Sequence, residues 1–256
     1  MHHEPLPAGR PAHHSDGTGH ALFATRLGVC GVAWGAWGLV ALQLPETDGP
    51  QATRERMLRT ARQRRPGEYV GAVSRAGAAP AWAAPSWAAP AWAALAGALP
   101  QNVAQAIAGV QTLMAGHGDW TWQACDSGSD AVLPDLRPER CLPAGMPLPD
   151  LAHLVLDWHG VSAFHRRVYA LTRAIAPGHT RSYGEIAREL GDVGLSRAVG
   201  QALGLNPFAP VIPCHRVLAA GGEPGGFSGG AGALTKLRML EIEGAAWGGT
   251  CSLFGD

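Results

Sequence analysis

Residues 76–99, AGAAPAWAAPSWAAPAWAALAGAL, constrain the chain most, because Pro80, Pro85 and Pro90 and then Trp82, Trp87 and Trp92 recur every five residues. That interval matches neither the helical nor the strand period, and proline removes a backbone donor that both structures need. No regular element can run through it. The chain is therefore expected to be interrupted here by a low-complexity insertion, the other reading being a ligand for some aromatic-lined groove.

At 256 residues, with 46% hydrophobic and 16% charged residues but 35 Gly and 20 Pro, the chain can build two small domains, or one domain carrying a large insertion. The five cysteines (Cys30, Cys125, Cys141, Cys214, Cys251) are odd in number, scattered and free of any CxxC pair. That pattern predicts neither a disulfide framework nor a zinc ribbon, and fits a reducing, cytoplasmic setting. Residues 1–20 are polar and rich in histidine, without an apolar leader, so they read as a disordered tail or a weak metal tract. The apolar run from Val29 to Leu44 is shorter than a bilayer span and broken by Gly31, Gly35 and Gly38. It reads instead as a hairpin of LGVCGVAW and GLVALQLP.

A helix is expected from about Gln51 to Arg65, its arginines forming a solvated face, and another over Asn102–Ala115 with Val103, Ile107, Val110 and Met114 on one side. Residues 117–150 read as loop, with Cys125 and Cys141 in structural roles. An N-terminal domain over residues 21–158 follows, and residues 248–256 form a second tail.

Charge is unevenly placed. The net charge is zero, yet residues 160–217 carry seven Arg against Glu185, Glu189 and Asp192, leaving 13 basic and 17 acidic residues elsewhere. Within this basic stretch, SAFHRRVYALTRAIAPG sets Phe164, Val168, Leu171 and Ile175 on one helical face. SYGEIAREL then opens with a capping box, Ser182 and Glu185, and SRAVGQALG follows after a short turn with Ser196 as its expected cap. Two short helices across a tight turn read either as a DNA-binding helix-turn-helix or as plain helix packing.

The stretch NPFAPVIPCHRVL sets Cys214 between Pro213 and His215, in a run that otherwise reads as a short buried strand. Flanking cations at His215 and Arg216 predict a lowered thiol pKa; the competing reading is a small buried hydrophobe. On a strand His215 would reach the sulfur only through a sharp turn or a water, which argues against a protease-like pair.

Together, NPFAPVIPCHRVL, TRSYGEIAREL, SRAVGQALGLNP, GGFSGG and KLRMLEIEG resemble the O6-alkylguanine-DNA alkyltransferases, with PCHRV intact, over residues 160–247. The hairpin is similar, less diagnostically, to the strand pair of that family's N-terminal domain. The resemblance implies an α+β protein: a small N-terminal β-sheet domain with a helix, and a mainly helical C-terminal DNA-binding domain bearing a helix-turn-helix and the active-site cysteine. It implies DNA repair by direct reversal, a suicidal, stoichiometric methylated-DNA–protein-cysteine S-methyltransferase acting on O6-alkylguanine, with O4-alkylthymine left open.

By the same resemblance Cys214 is the nucleophile and alkyl acceptor, His215 its base through water, Glu243 the orienting group, and Asn206 the holder of the turn. Tyr183 assists phosphate rotation and protonation of the leaving base, and Arg197 fills the gap left by the flipped nucleotide, Ser182 and Leu203 lying on the same DNA-facing surface. Ser228 donates to guanine O6, while the carbonyls of Cys214 and Val217 accept from the guanine amine. Phe227 departs from the family, which often has tyrosine there, and so loses a hydroxyl. No cofactor or metal is expected; the partner is double-stranded DNA carrying the lesion, bound by a monomer away from membranes. The alternatives are a non-catalytic or regulatory protein that binds alkylated DNA, and a cysteine hydrolase.

Overall fold

In the computed structural model, residues 17–69, 99–117, 132–133, 142–143 and 145–247 are described. The expected insertion up to residue 98, the tail residues 1–16 and 248–256, and Cys125, Cys141 and Cys251 lie outside them.

The expected hairpin forms as β2 (Gly28–Gly35) and β3 (Gly38–Gln43), antiparallel with a bulge at Ala33/Trp34. A strand not foreseen, β1 (Gly19–Thr25), pairs antiparallel with β2, and β4 (Val132–Leu133) pairs parallel with β1, giving the order β3-β2-β1-β4. Gly19 and His20, assigned to the tail from sequence, are therefore buried strand residues. Gly38 turns the chain from β2 into β3 at φ +123°, and a Cβ there would stand 2.6 Å from the Val155 carbonyl, so only glycine fits.

Helix α1 (Pro50–Arg64) covers one sheet face, where Met57, Leu58 and Ala61 pack with Ala33, Val40 and Ala41. Helix α2 (Gln101–Ala115) lies against the other face with Val103, Ile107, Val110 and Met114 all buried, as their spacing predicts. Each such side chain contributes about 1.5–3 kcal/mol of burial. That core continues without a break into the C-terminal half, through Val168, Ile186, Val199, Val211 and Ile212.

The β3 edge binds the segment that leads into the C-terminal half and, through Leu42, that half itself. Leu39 N donates to Val155 O at 3.0 Å, Asp157 N to Leu39 O at 2.8 Å, and Leu42 N to Pro207 O at 2.8 Å. The arginines of α1 are not all a solvated face as expected. Arg64 donates to Val40 O, Asp157 O and His159 O and stacks 4.6 Å from the Phe208 ring centre. Arg65 pairs with the buried Asp157 carboxylate at 2.6 Å, whereas Arg59 and Arg62 do face solvent.

Helix α3 (Ala163–Arg173) is capped by Ser162 Oγ, which accepts from His165 N at 3.2 Å. Val168 and Ile175 are buried and Phe164 and Leu171 only half-buried; Tyr169 and Thr172 complete the inward face. Helix α4 (Tyr183–Glu189) carries the expected capping box. Ser182 Oγ accepts from Glu185 N at 3.2 Å and Ser182 N donates to Glu185 Oε2 at 2.6 Å, an arrangement that stabilises a helix start by about 1 kcal/mol.

Helix α5 (Ser196–Gly204) departs from expectation: Leu195 stands at its N-cap, and Ser196 Oγ donates back to Val193 O at 2.6 Å instead of capping. A 3₁₀ turn, Val193–Leu195, precedes it and takes the cap, Asp192 Oδ1 accepting from Gly194 N at 2.8 Å. The last helix, α6 (Ala233–Ile242), buries Lys236, Leu237, Met239 and Leu240. Among the described residues no helix is long and apolar enough to cross a membrane.

Candidate active site

The run around Cys214 is not the strand that its apolar composition suggested. Prolines at 207, 210 and 213 deny it ladder donors, and only Val217–Leu218 form a strand, β6, paired in parallel with β5 (Arg181–Ser182). Cys214–Arg216 form a single 3₁₀ turn, with Cys214 N donating to Ile212 O at 2.8 Å and Arg216 N to Pro213 O at 2.9 Å.

Asn206 ties this turn together. Its Nδ2 donates to Ile212 O at 2.7 Å and lies 3.4 Å from Cys214 Sγ, while its Oδ1 accepts from Phe208 N at 3.0 Å. Because Phe208 is also gripped by Arg64 and Pro207 by β3, the N-terminal half fixes the turn from behind.

A pocket of about 980 Å³ opens above the sulfur. Ser182, Tyr183, Arg197, Leu203, Cys214, Phe227 and Ser228 all line it, brought together from α4, α5 and the glycine-rich loop before α6. Arg197 is exposed on the first turn of α5. Tyr183 OH reaches Gly226 O at 3.5 Å, and Ser228 Oγ donates to Gly204 O at 3.1 Å. Asn206, His215, Val217 and Glu243 lie behind the lining.

In that second layer His215, Arg216 and Glu243 are almost wholly buried. Arg216 grips the Glu243 carboxylate with two donors, Nε to Oε2 and Nη2 to Oε1, both at 2.8 Å, and gives Nη1 to Ile175 O at 2.6 Å. His215 Nε2 stands 2.9 Å from Glu243 Oε1. Burial works against ionisation of Glu243, but His215 and Arg216 outweigh it and hold the carboxyl at about 2. Burial pushes His215 down against the pull of Glu243, so the ring is neutral. A neutral ring beside an ionised carboxylate donates from Nε2 and leaves Nδ1 an acceptor, and Nδ1 is buried without a hydrogen-bond partner.

The thiol itself contradicts one expectation. Burial pushes the Cys214 pKa up, not down, opposed by Asn206, by Lys236 and by the backbone N–H groups of Cys214 and His215. Arg216 is consumed by Glu243; the cation whose charge acts on the thiol is Lys236, fully buried on α6, which sequence reading passed over. Its Nζ donates to Val217 O at 2.6 Å and lies 5.6 Å from the Tyr183 ring centre. Burial lowers its pKa to about 8 while Cys214 pulls it up. The Val217 carbonyl, expected to meet a guanine amine, thus already serves Lys236 with one lone pair. Among the described residues no three His, Cys, Asp or Glu side chains are grouped to hold a metal ion.

Two short helices, α4 and α5, joined across a 3₁₀ turn, thus stand over a pocket with a buried thiol at its base. Residues 163–245 match the family described as 6-O-methylguanine DNA methyltransferase, DNA binding domain.

The chain is 50% identical over 86 residues to a methylated-DNA–protein-cysteine methyltransferase of Mycolicibacterium paratuberculosis, covering 34% of this chain and 52% of that one. It is 47% identical over 98 residues to a DNA base-flipping protein of Thermus thermophilus, covering 38% and 63%. The chain spans about half the length of the first of these relatives. The solved O6-methylguanine-DNA methyltransferase of Pyrococcus kodakaraensis aligns at a TM-score of 0.50 and 19% identity, over 89% of this chain and 99% of that one, and shares the α+β fold.

Proposed function

We propose that the protein repairs DNA by direct reversal, taking the alkyl group of O6-alkylguanine onto Cys214 once and permanently. The observation that carries this reading is the sulfur at the base of the pocket, acted on by Asn206 and Lys236 and backed by a His215–Glu243 pair with a free Nδ1.

The helix pair binds duplex DNA, and the alkylated base leaves the stack because its O6 substituent cannot meet a buried thiol from inside the duplex. Arg197, exposed on α5, occupies the gap left behind. The Cys214 proton passes through a water to His215 Nδ1, and the charge appearing on the imidazole is stabilised by Glu243. The thiolate attacks the alkyl carbon; the C–S bond forms as the C–O6 bond breaks, and the electron pair goes to the guanine. Ser228 Oγ donates to O6 and Tyr183 protonates the leaving base, each exchanging its present carbonyl partner for the substrate. The thioether is stable, so the protein does not turn over. A raised thiol pKa suits this scheme: the sulfur stays protonated and unreactive until the base is seated and the relay is complete.

All these groups come from one chain, so we take the acting species to be a monomer, working in the reducing cytoplasm. The likeness to a DNA base-flipping protein favours one second reading, recognition of alkylated DNA without chemistry. Mass spectrometry after incubation with an O6-methylguanine duplex separates the two. One methyl group on the Cys214 peptide, saturating at one per protein and absent from Cys214→Ala, is the expected result. Binding without a mass gain would establish the second reading instead.

A further inference from the structure

The loop that closes the pocket is dominated by glycine. Between Ala219 and α6 the chain contains Gly221, Gly222, Gly225, Gly226, Gly229, Gly230 and Gly232, five of them at positive φ (221, 222, 225, 230 and 232). Such a segment loses much backbone entropy when ordered and needs outside fastening.

Around Phe227 and Ser228, the two loop residues of the proposed site, three hydrogen bonds to the rest of the protein supply it. Tyr183 OH donates to Gly226 O at 3.5 Å, Ser228 Oγ donates to Gly204 O at 3.1 Å, and Arg56 Nη2 donates to Ser228 O at 2.5 Å. The first two hydroxyls are those the reaction needs for the leaving base. When they turn to the substrate, the Arg56 bond is the one of these three that continues to hold the loop.

Arg56 is built for that task. It belongs to α1, in the other half of the chain, and its Nη1 is pinned to Glu46 Oε1 at 2.8 Å. Glu46 Oε1 also accepts from Gln43 Nε2 at 2.8 Å, and Glu46 N donates to Thr53 Oγ1 at 2.9 Å. The guanidinium is thus aimed by a carboxylate fixed at the end of β3. The loop lies directly on that end: a Cβ at Gly230 would stand 2.7 Å from Pro45 O, and one at Gly229 3.0 Å from Leu44 Cδ1.

Resting on the alkyl-transfer reading above, we infer that Arg56 is a positioning residue, holding the Ser228 backbone so that Phe227 and Ser228 keep the flipped base against Cys214. The N-terminal helix then sets the rate of chemistry carried out by the C-terminal half, acting after the base has entered the pocket.

Single-turnover methyl transfer from an O6-methylguanine duplex, measured on the full chain across DNA concentrations, tests this with Arg56→Ala, Arg56→Lys and Glu46→Gln. Arg56→Ala is expected to lower the rate at saturating DNA about tenfold, the worth of one charge-assisted hydrogen bond, with the half-saturating concentration changed less than about twofold. Arg56→Lys should recover most of the loss, and Glu46→Gln should show a smaller one. In the DNA-free protein, amide exchange at residues 226–230 should quicken in Arg56→Ala. An unchanged rate with unchanged exchange overturns the inference. So does a loss confined to the half-saturating concentration, which would make Arg56 a phosphate contact. Should no variant and not even the wild type transfer methyl, the alkyl-transfer reading fails alone; the exchange measurement still decides whether Arg56 tethers the loop.

Discussion

Cys30 on β2 and Cys214 beneath the pocket are both free and buried, and their surroundings are chemically opposite. Burial pushes the Cys30 thiol up to about 12, with only the Thr25 hydroxyl, 3.7 Å from the sulfur, working against it. At Cys214 the same burial is countered by an amide, a lysine and two backbone N–H groups. Loss of water is common to both sites. What singles out Cys214 is a set of groups that favour the thiolate and a pocket opening above the sulfur; Cys30 is enclosed in the packed core.

The largest test of that contrast concerns Glu243, the charge centre of the Cys214 side. Its folded pKa of about 2 lies below the ordinary 4.5, so its stabilisation is fully present above pH 4.5 and is lost as pH falls toward 2. The shift is worth about 3 kcal/mol. Glu243→Gln should therefore lower the urea-unfolding free energy by about that much at pH 6, the two proteins converging near pH 2. Parallel curves over the whole range would mean that the carboxylate contributes no pH-linked stability, and that the two cysteine sites differ less than their geometry indicates.

Next in size is Lys236→Met, which keeps the length of the side chain and removes the cation acting on Cys214. Transfer on the proposed reading should slow on the order of thirtyfold, about 2 kcal/mol of lost stabilisation of the thiolate. Folding should not suffer equally, because a lysine with its pKa depressed to about 8 is costly to keep charged in the interior. Single-turnover rates beside thermal melts separate the two effects. A rate unchanged by the substitution would leave Asn206 and the backbone donors as the whole difference between the cysteines.

Much of this contrast was readable in the sequence, and the unreadable part has physical causes. NPFAPVIPCHRVL and the capping box announce themselves because short-range chemistry fixes them, prolines in one and a Ser/Glu pair in the other, whereas Arg197 is singled out only by the family resemblance. The same apolar run misleads about its own conformation, since a buried strand and a proline-locked turn share a composition. Strand β1 escaped because both its faces are covered, which erases the alternation that marks a strand. Lys236 and Arg56 sit in helices whose sequence reads as ordinary amphipathic surface. Only the tertiary fold brings one within electrostatic reach of the thiol and the other against Ser228. Ser196 misled for a local reason: Asp192 two residues before Gly194 starts a 3₁₀ turn early and takes the cap.

The smallest prediction examines the other member of the pair. Cys30 is 1% exposed and its sulfur touches Thr25, so Cys30→Ala removes one buried atom and leaves a small void in the core against the β1–β2 pair. The cost should be about 1 kcal/mol, near the low end for a buried truncation, and visible as a modest fall in the urea midpoint. Methyl transfer to Cys214 should proceed at the wild-type rate, because nothing in the β1–β2 pairing changes the edge of β3, where Leu42 N holds Pro207 O at 2.8 Å. A slowed transfer in Cys30→Ala would show that strain in the sheet does reach the Asn206 turn through β3. The N-terminal half would then transmit strain to the site, beyond bracing the Asn206 turn from behind and tethering the loop at Arg56.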